Sequence, residues 1–183
     1  MHDAHKAIDF HTLLKPEIEL LCKMANDAHL NDVIEAIQIS ANGFLISERL
    51  KSIFEKHRLE GCAYYPTKVS AGKAIASYYY FHSINDLTQK VDFKKSAFDV
   101  IDLVKKTKLL ENKVFADLEE FDDFYMDILG EPFDVVPLKI TFPDAENSEL
   151  FHLNFTENRF YLSDSLGKEL LASEITGLTL RKL

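Results

Sequence analysis

Residues 31–61, NDVIEAIQISANGFLISERLKSIFEKHRLEG, are written a second time at residues 147–177, NSELFHLNFTENRFYLSDSLGKELLASEITG. Aligned without a gap, Asn31 falls on Asn147, Asn42 on Asn158, Phe44 on Phe160, Ser47 on Ser163, Leu50 on Leu166 and Gly61 on Gly177. Between these identities the apolar register is kept, with Ile34 on Leu150, Ile37 on Leu153, Ile46 on Leu162, Phe54 on Leu170 and Leu59 on Ile175. The unit reads as strand, turn, strand, helix, strand. Ile37 and Ile39 alternate with Gln38 and Ser40, the period of a half-buried strand, and Asn42-Gly43 is a hairpin signal because both residues tolerate positive φ. Phe44 to Ile46 form the second strand, and Ser47 is an N-cap whose hydroxyl accepts from the next turn, with Glu48 at the positive end of the helix dipole. Leu50, Ile53, Phe54 and His57 then share one helical stripe. Gly61 turns the chain, and Cys62 to Tyr65 returns as a third strand before Pro66. In the second copy Leu150 to Phe155, Phe160 to Leu162 and a helix opened by Ser163 and Asp164 repeat the scheme, Asn158 takes the turn without a glycine, and Leu178 to Leu183 closes it as a strand.

The fold class that follows is α+β, with two similar hairpin–helix–strand repeats, Asn31–Gly61 and Asn147–Gly177, packed in one domain over residues 1–183. The first repeat with its extension spans 31–69, a middle segment 70–137 and the second repeat 138–183. A chain of 183 residues suits one domain with a proper core and a radius of gyration of about 16 Å. Hydrophobic residues make up 46%, with only five prolines and six glycines, which excludes disorder, and no apolar run reaches a membrane span. With no signal-like amino terminus, the expectation is a soluble cytoplasmic protein. Cys22 and Cys62 are too few for a disulfide framework and read as small hydrophobes.

From Pro16, the positions Ile18, Leu21, Cys22, Ala25 and Ala28 or His29 keep helical spacing, so a helix is expected there. Tyr78, Tyr79, Tyr80 and Phe81 have the composition of a strand, burying rings against a helix or offering a ligand-stacking face. Phe98 to Leu109 is compatible with a helix or a buried strand. Val135 to Phe142 alternates as a strand into a Pro143-Asp144 turn.

The formal net charge of −9 opposes nucleic-acid binding, which is built on lysine and arginine meeting phosphates. The acidity is concentrated in Asp117, Glu119, Glu120, Asp122, Asp123 and Asp127, with Phe124 and Tyr125 among them. This segment is either a solvated acidic helix face whose aromatics turn to the core, or a docking surface for a basic protein. It lacks the glycine turn and ligand spacing of an oxygen-rich metal loop. His2, His5 and His11 with Asp3 and Asp9 are residues that bind zinc or nickel, but nothing later completes a site, so neither metal nor cofactor is expected. Gly72-Lys73 is not a phosphate loop, and no Gly-x-Ser-x-Gly, His-Glu-x-x-His or Cys-x-x-Cys is present, so no catalytic residue is assigned.

The string Asn42-Gly-Phe-Leu-Ile-Ser47-Glu-Arg-Leu50, followed by Leu59-Glu-Gly61, Tyr64-Tyr-Pro66 and the tyrosine run leading to Val91-Asp-Phe-Lys-Lys-Ser96, resembles a large bacterial immunity-protein family of polymorphic toxin systems, numbered eleven among such families. Leu150-Phe-His-Leu, Tyr161-Leu-Ser-Asp-Ser-Leu166 and Ile175-Thr-Gly177 continue the likeness. The resemblance implies a non-enzymatic antitoxin that neutralises a cognate toxin by stoichiometric binding. With the acidity, it makes a basic, nuclease-like toxin the expected partner, met by Asp117, Glu119, Glu120, Asp122, Asp123, Phe124, Tyr125 and Asp127, with neither nucleic acid nor membrane involved and the chain a monomer or homodimer. Two alternatives stand beside it. One is a small-ligand protein or enzyme with a site between the repeats, where His152, Tyr161 and Asp164 would converge. The other is an adaptor that only dimerises.

Overall fold

A computed structural model describes residues 20–24, 29–35, 42–143, 147–155 and 159–182. These fall into two compact units. The first comprises the described residues up to Asp86 with Ser148–His152 and Phe160–Leu180; the second comprises Leu87–Asn147 and Leu153–Arg159 with the last residues. The class is α+β.

The first unit is built on a hairpin of two ten-residue strands, β4 (Cys62–Ala71) and β5 (Ala74–Ser83), paired without interruption from Cys62–Ser83 to Ala71–Ala74. Gly72, with φ +60°, takes the first central position of the two-residue turn, as a type II′ hairpin requires. Thr67 to Ser70 also pair in parallel with β1 (Leu20–Lys23), while β3 (Gly43–Ile46) pairs with β5 and β2 (Val33–Ile34) with β3, giving the order β1-β4-β5-β3-β2. Alternation along β5 puts Tyr78 and Tyr80 on one face with Leu20, Leu45, Tyr65 and Val69, and Phe81 on the other with Ile46. The tyrosine run is therefore the central strand.

On the Phe81 face lie α1 (Glu48–His57), the two-stranded hairpin β9 (Leu150–His152) with β10 (Phe160–Leu162), and α3 (Asp164–Ala172). Leu50, Phe54, Leu150, Leu166 and Leu170 pack with Ile46 and Phe81 into one cluster. Both helices begin as their sequences require. The Ser47 hydroxyl accepts from Leu50 N–H at 3.2 Å and that of Ser163 from Leu166 N–H at 3.1 Å. Each hydroxyl also donates to an acid at the start of its hairpin, Ser47 to Asp32 at 2.7 Å and Ser163 to Glu149. Non-glycine residues with positive φ, Arg58 and Glu174, follow the helices at matching positions, and Gly61 and Gly177 come next.

Several expectations need correction. Leu20 to Lys23, read as helix, is a strand with alternating burial; the rest of that expected helix lies outside the described residues apart from Met24 and His29. Asn42-Gly43 is not a turn with positive φ. Gly43 is the first residue of β3, and a Cβ there would sit 2.0 Å from Phe81 O, so close approach to β5 and not turn geometry demands glycine. The expected strand Ile37–Ile39 and the turn at Asn158 lie outside the described residues. The first copy's third strand does not stop at Pro66: β4 runs through it, because parallel pairing with β1 starts only at Thr67 and Pro66 owes that neighbour no N–H. In the second copy residues 178–182 form no strand, and β9 ends at His152.

The second unit holds β6 (Ala97–Asp102) between β7 (Thr107–Lys113) and β8 (Phe133–Lys139), all antiparallel, and α2 (Leu118–Ile128). The ambiguous Phe98 to Leu109 stretch is thus a hairpin. Two buried aspartates on β6 shape it: Asp102 accepts from the N–H groups of Val104 and Lys105 at the turn, at 2.9 and 2.8 Å, and Asp99 accepts from Asn112 N–H at 3.1 Å and Lys108 Nζ at 2.7 Å. Lys105 N–H first, with Val104 N–H and the Lys105 ammonium, holds the Asp102 carboxyl below the usual range despite burial; Lys108 and Asn112 do the same for Asp99.

Ser47→Ala and Ser163→Ala should each lower unfolding free energy by about 0.5–2 kcal/mol, read by urea titration, through loss of a cap; unchanged midpoints in both would remove the helix starts from the account of stability. A carboxyl whose folded pKa is depressed stabilises above its unfolded value of about 3.9 and loses that contribution as pH falls through the folded value. The stability gap between the parent and Asp102→Asn should therefore be widest near neutrality and close below about pH 4. A gap independent of pH would assign the loss to packing.

Candidate interaction surface

Helix α2 is set by its first residues. The Asp117 side chain accepts from Glu120 N–H at 3.0 Å, and Glu120 reaches back to accept from Ala116 N–H at 2.6 Å, a reciprocal pairing close to a capping box. Two of the six acidic side chains therefore close the helix end. Phe121 is the buried anchor, its ring centroid 4.7 Å from Phe155, 5.0 Å from Phe115, 5.3 Å from Phe98 and 5.4 Å from Phe93. Phe124 and Tyr125 flank it, half-buried, at 5.4 Å from Phe115 and 6.2 Å from Phe121, and Lys113 Nζ lies 4.8 Å from the Phe124 ring centre. Leu118, Phe121, Phe124, Tyr125 and Ile128 thus form the inward stripe.

The opposite face carries Glu119, Asp122, Asp123 and Asp127, all exposed. Among the described residues none of these four carboxylates has an ion pair or hydrogen bond, whereas Asp32, Asp92, Asp99, Asp102, Asp134, Glu149 and Glu169 all have one. Met126, 64% exposed, stands among them, three and four residues beyond Asp123 and Asp122, and Leu129, 61% exposed, follows at the helix end. The helical spacing of residues 119–127 places Met126 on this face, whereas Phe124 and Tyr125, the apolar anchors expected from the sequence, are half-buried.

The other candidate constellation does not assemble. Phe160 pairs with His152 and Tyr161 with Phe151 across the β9–β10 hairpin, so His152 and Tyr161 lie on opposite faces. His152 is buried, its Nε2 2.9 Å from Asn42 Nδ2, and burial lowers its pKa despite the nearby Asp86. Tyr161 stacks on Phe151 at 5.3 Å, and Asp164, at the exposed start of α3, pairs with Lys168. His57 and Cys62 likewise have separate partners: the imidazole lies 3.2 Å from Glu149 Oε2 and 3.0 Å from Glu169 Oε2, and the thiol donates to Leu59 O at 3.2 Å. Glu169 is held below the usual carboxylate range by Lys56 and then by His57. Among the described residues no cluster of His, Cys, Asp and Glu could hold a metal ion, and no helix is long and apolar enough to cross a membrane. His2, Asp3, His5, Asp9 and His11 lie outside the described residues.

A search of curated proteins finds no match for the chain. Residues 2–126, a span that takes in the five-stranded sheet, α1 and α2 as far as Met126, match the profile of the Immunity protein family (Imm11), and with more than half of its length matched the chain belongs to that family.

Proposed function

We propose that this protein neutralises a cognate bacterial toxin by stoichiometric binding in the cytoplasm, and that the outer face of α2 is the docking surface. The observation that carries the reading is the set of four unpaired carboxylates, Glu119, Asp122, Asp123 and Asp127, around the exposed side chain of Met126 on a helix of an immunity-family protein. Desolvating a carboxylate is costly unless a cation meets it, so a face that leaves four of them unpaired fits a basic partner best. A domain that attacks nucleic acid carries such a basic cleft, which makes a nuclease-like toxin the favoured target. Met126 and Leu129, with the outer edges of Phe124 and Tyr125, supply the apolar contact, and the carboxylates set the association rate. Asp117 and Glu120 keep the helix end closed.

The two hairpin–helix segments are read as copies of one unit related by a pseudo-twofold. Equivalent residues support this by touching: Phe44 and Phe160 meet edge to face at 5.1 Å. On this reading residues 1–183 form a single immunity-protein-like domain. No observation favours a small-ligand site, since His152, Tyr161 and Asp164 do not converge.

The test replaces Asp122, Asp123 and Asp127 with lysine, leaving the caps intact, confirms the fold by circular dichroism, and measures association with the toxin encoded by the adjacent gene. Association should slow about tenfold or more, with a flattened salt dependence, and protection should fail. Met126→Ala should act mainly on the dissociation rate. Parental association kinetics and protection in the folded triple variant would overturn the assignment of α2.

A further inference from the structure

The Phe81 face of the five-stranded sheet is dried at one end only. Tyr64, Tyr79 and Phe81 lie under α1 and the second hairpin, but towards the Gly72 turn the same face is bare. The register sets Leu21, Lys68 and Ser77 side by side in one row across β1, β4 and β5, and Lys23, Ser70 and Ile75 in the next. Leu21 is 65% and Ile75 70% exposed, and Pro66, Lys23, Lys68 and Ser77 are exposed with them. A sheet face left to water is ordinarily polar, whereas this one carries an aliphatic side chain on either side of the strand that holds Lys68.

Its charge is equally unanswered. Among the described residues Lys68 Nζ meets only the Ser77 hydroxyl, at 2.9 Å, and Lys73 in the turn meets no partner. Glu48 and Glu55, at the covered end beside Tyr79, are both taken by Lys51. The chain itself carries the complementary surface: the outer face of α2, where Glu119, Asp122, Asp123 and Asp127 stand without cations around Met126. From Glu119 to Asp127 that face runs about 12 Å along the helix, and from Pro66 to Ser70 the bare face runs about 14 Å along β4, so the lengths match. Met126 set between Leu21 and Ile75, with the aspartates towards Lys68 and Lys73, buries apolar surface and gives the unpaired charges of both sides an opposite. Two bare faces brought together would set lysines against lysines, and two α2 faces carboxylates against carboxylates; only the unlike pairing answers both. Both surfaces are open within one copy, so the helix that fits comes from another.

We propose that the bare end of the five-stranded sheet, around Leu21, Lys68, Lys73 and Ile75, is a docking site for α2 of a second copy of this chain. This goes beyond toxin neutralisation and shares with it only the α2 surface, for which a second copy and a toxin would compete.

Sedimentation equilibrium of the full chain, from low micromolar upward, tests it without any toxin. At low salt the parent should show mass above the monomer, and the association should weaken as salt is raised. Lys68→Glu with Lys73→Glu, and separately Asp122→Lys with Asp123→Lys, should each weaken association about tenfold or more. An equimolar mixture of the two double variants should recover it, since each supplies the charge that the other reversed, and a misfolded variant would not be rescued in this way. Lys94→Glu with Lys139→Glu makes the same change in net charge at exposed lysines of the second unit and should associate like the parent. Lys68→Glu with Lys73→Glu leaves α2 intact and should bind the toxin like the parent, so a failure of either reading shows separately. A parent that stays monomeric at low salt, double variants that associate like the parent, a mixture that does not recover, or equal weakening by Lys94→Glu with Lys139→Glu would each overturn the proposal.

Discussion

One face of the five-stranded sheet, the face of Ile46 and Phe81, can be dried only by segments far apart in the chain. Phe54 of α1 reaches the Phe81 ring at 5.1 Å, Phe44 reaches it at 5.2 Å, and Phe160 of the second hairpin closes over Phe44 at 5.1 Å. Emptying one such site, as in Phe→Ala, typically costs about 3–5 kcal/mol. The Lys56–Glu169 pair that also joins α1 to α3 is largely exposed on the lysine side and belongs to a class worth about 0–1 kcal/mol. Burial therefore decides that Leu150–His152 and Phe160–Ala172 pack on this face of the sheet, and the polar contacts only tune how the helices lie.

The same constraint explains the polar layer at the starts of the hairpins. For Asp32, burial alone would raise the pKa, but bonds from Ser47 and Thr176, with Arg49 nearby, hold it below the usual range. Val33 N–H donates to Thr176 O at 3.0 Å, and a Cβ on Gly177 would lie 2.1 Å from Val33 O. The backbone after α3 thus runs so close to β2 that only glycine fits there. The matching Gly61 has Asn85 beside it at 3.3 Å, a looser fit against a different neighbour. The conformation after each helix recurs between the two segments, while their surroundings differ.

What was legible in the sequence follows from how local its cause is. Ser47 and Ser163 as caps, the stripe of Leu50 and Phe54, and the tyrosine-rich strand are fixed within a few residues of chain, and were read correctly. Leu20 and Cys22 were not, because their two-residue period is too short to compete with helical spacing and becomes a strand only through pairing with Thr67 to Ser70. Gly43 was assigned to a turn because the neighbour that demands it, Phe81 O, is distant in sequence. For the interaction surface, composition revealed the acidity of residues 117–127, and helical spacing could have separated the capping Asp117 and Glu120 from the outward carboxylates.

Helix α2 is better suited to presenting charge than to stability. Glu119 with Asp122 and Asp123, and Asp123 with Asp127, are like charges at the spacings where side chains meet, each costing a few tenths of a kcal/mol, and Asp127 lies at the negative end of the dipole where no basic residue answers it. A helix of eleven residues would be marginal alone. Phe121, held by four phenylalanine rings, more than offsets these costs. It also fixes the helix on a rigid base, so that a partner meeting the outer face need not order it first. A cationic surface would relieve the same repulsions the free helix carries, so the charges that weaken the helix in isolation would favour its binding to one.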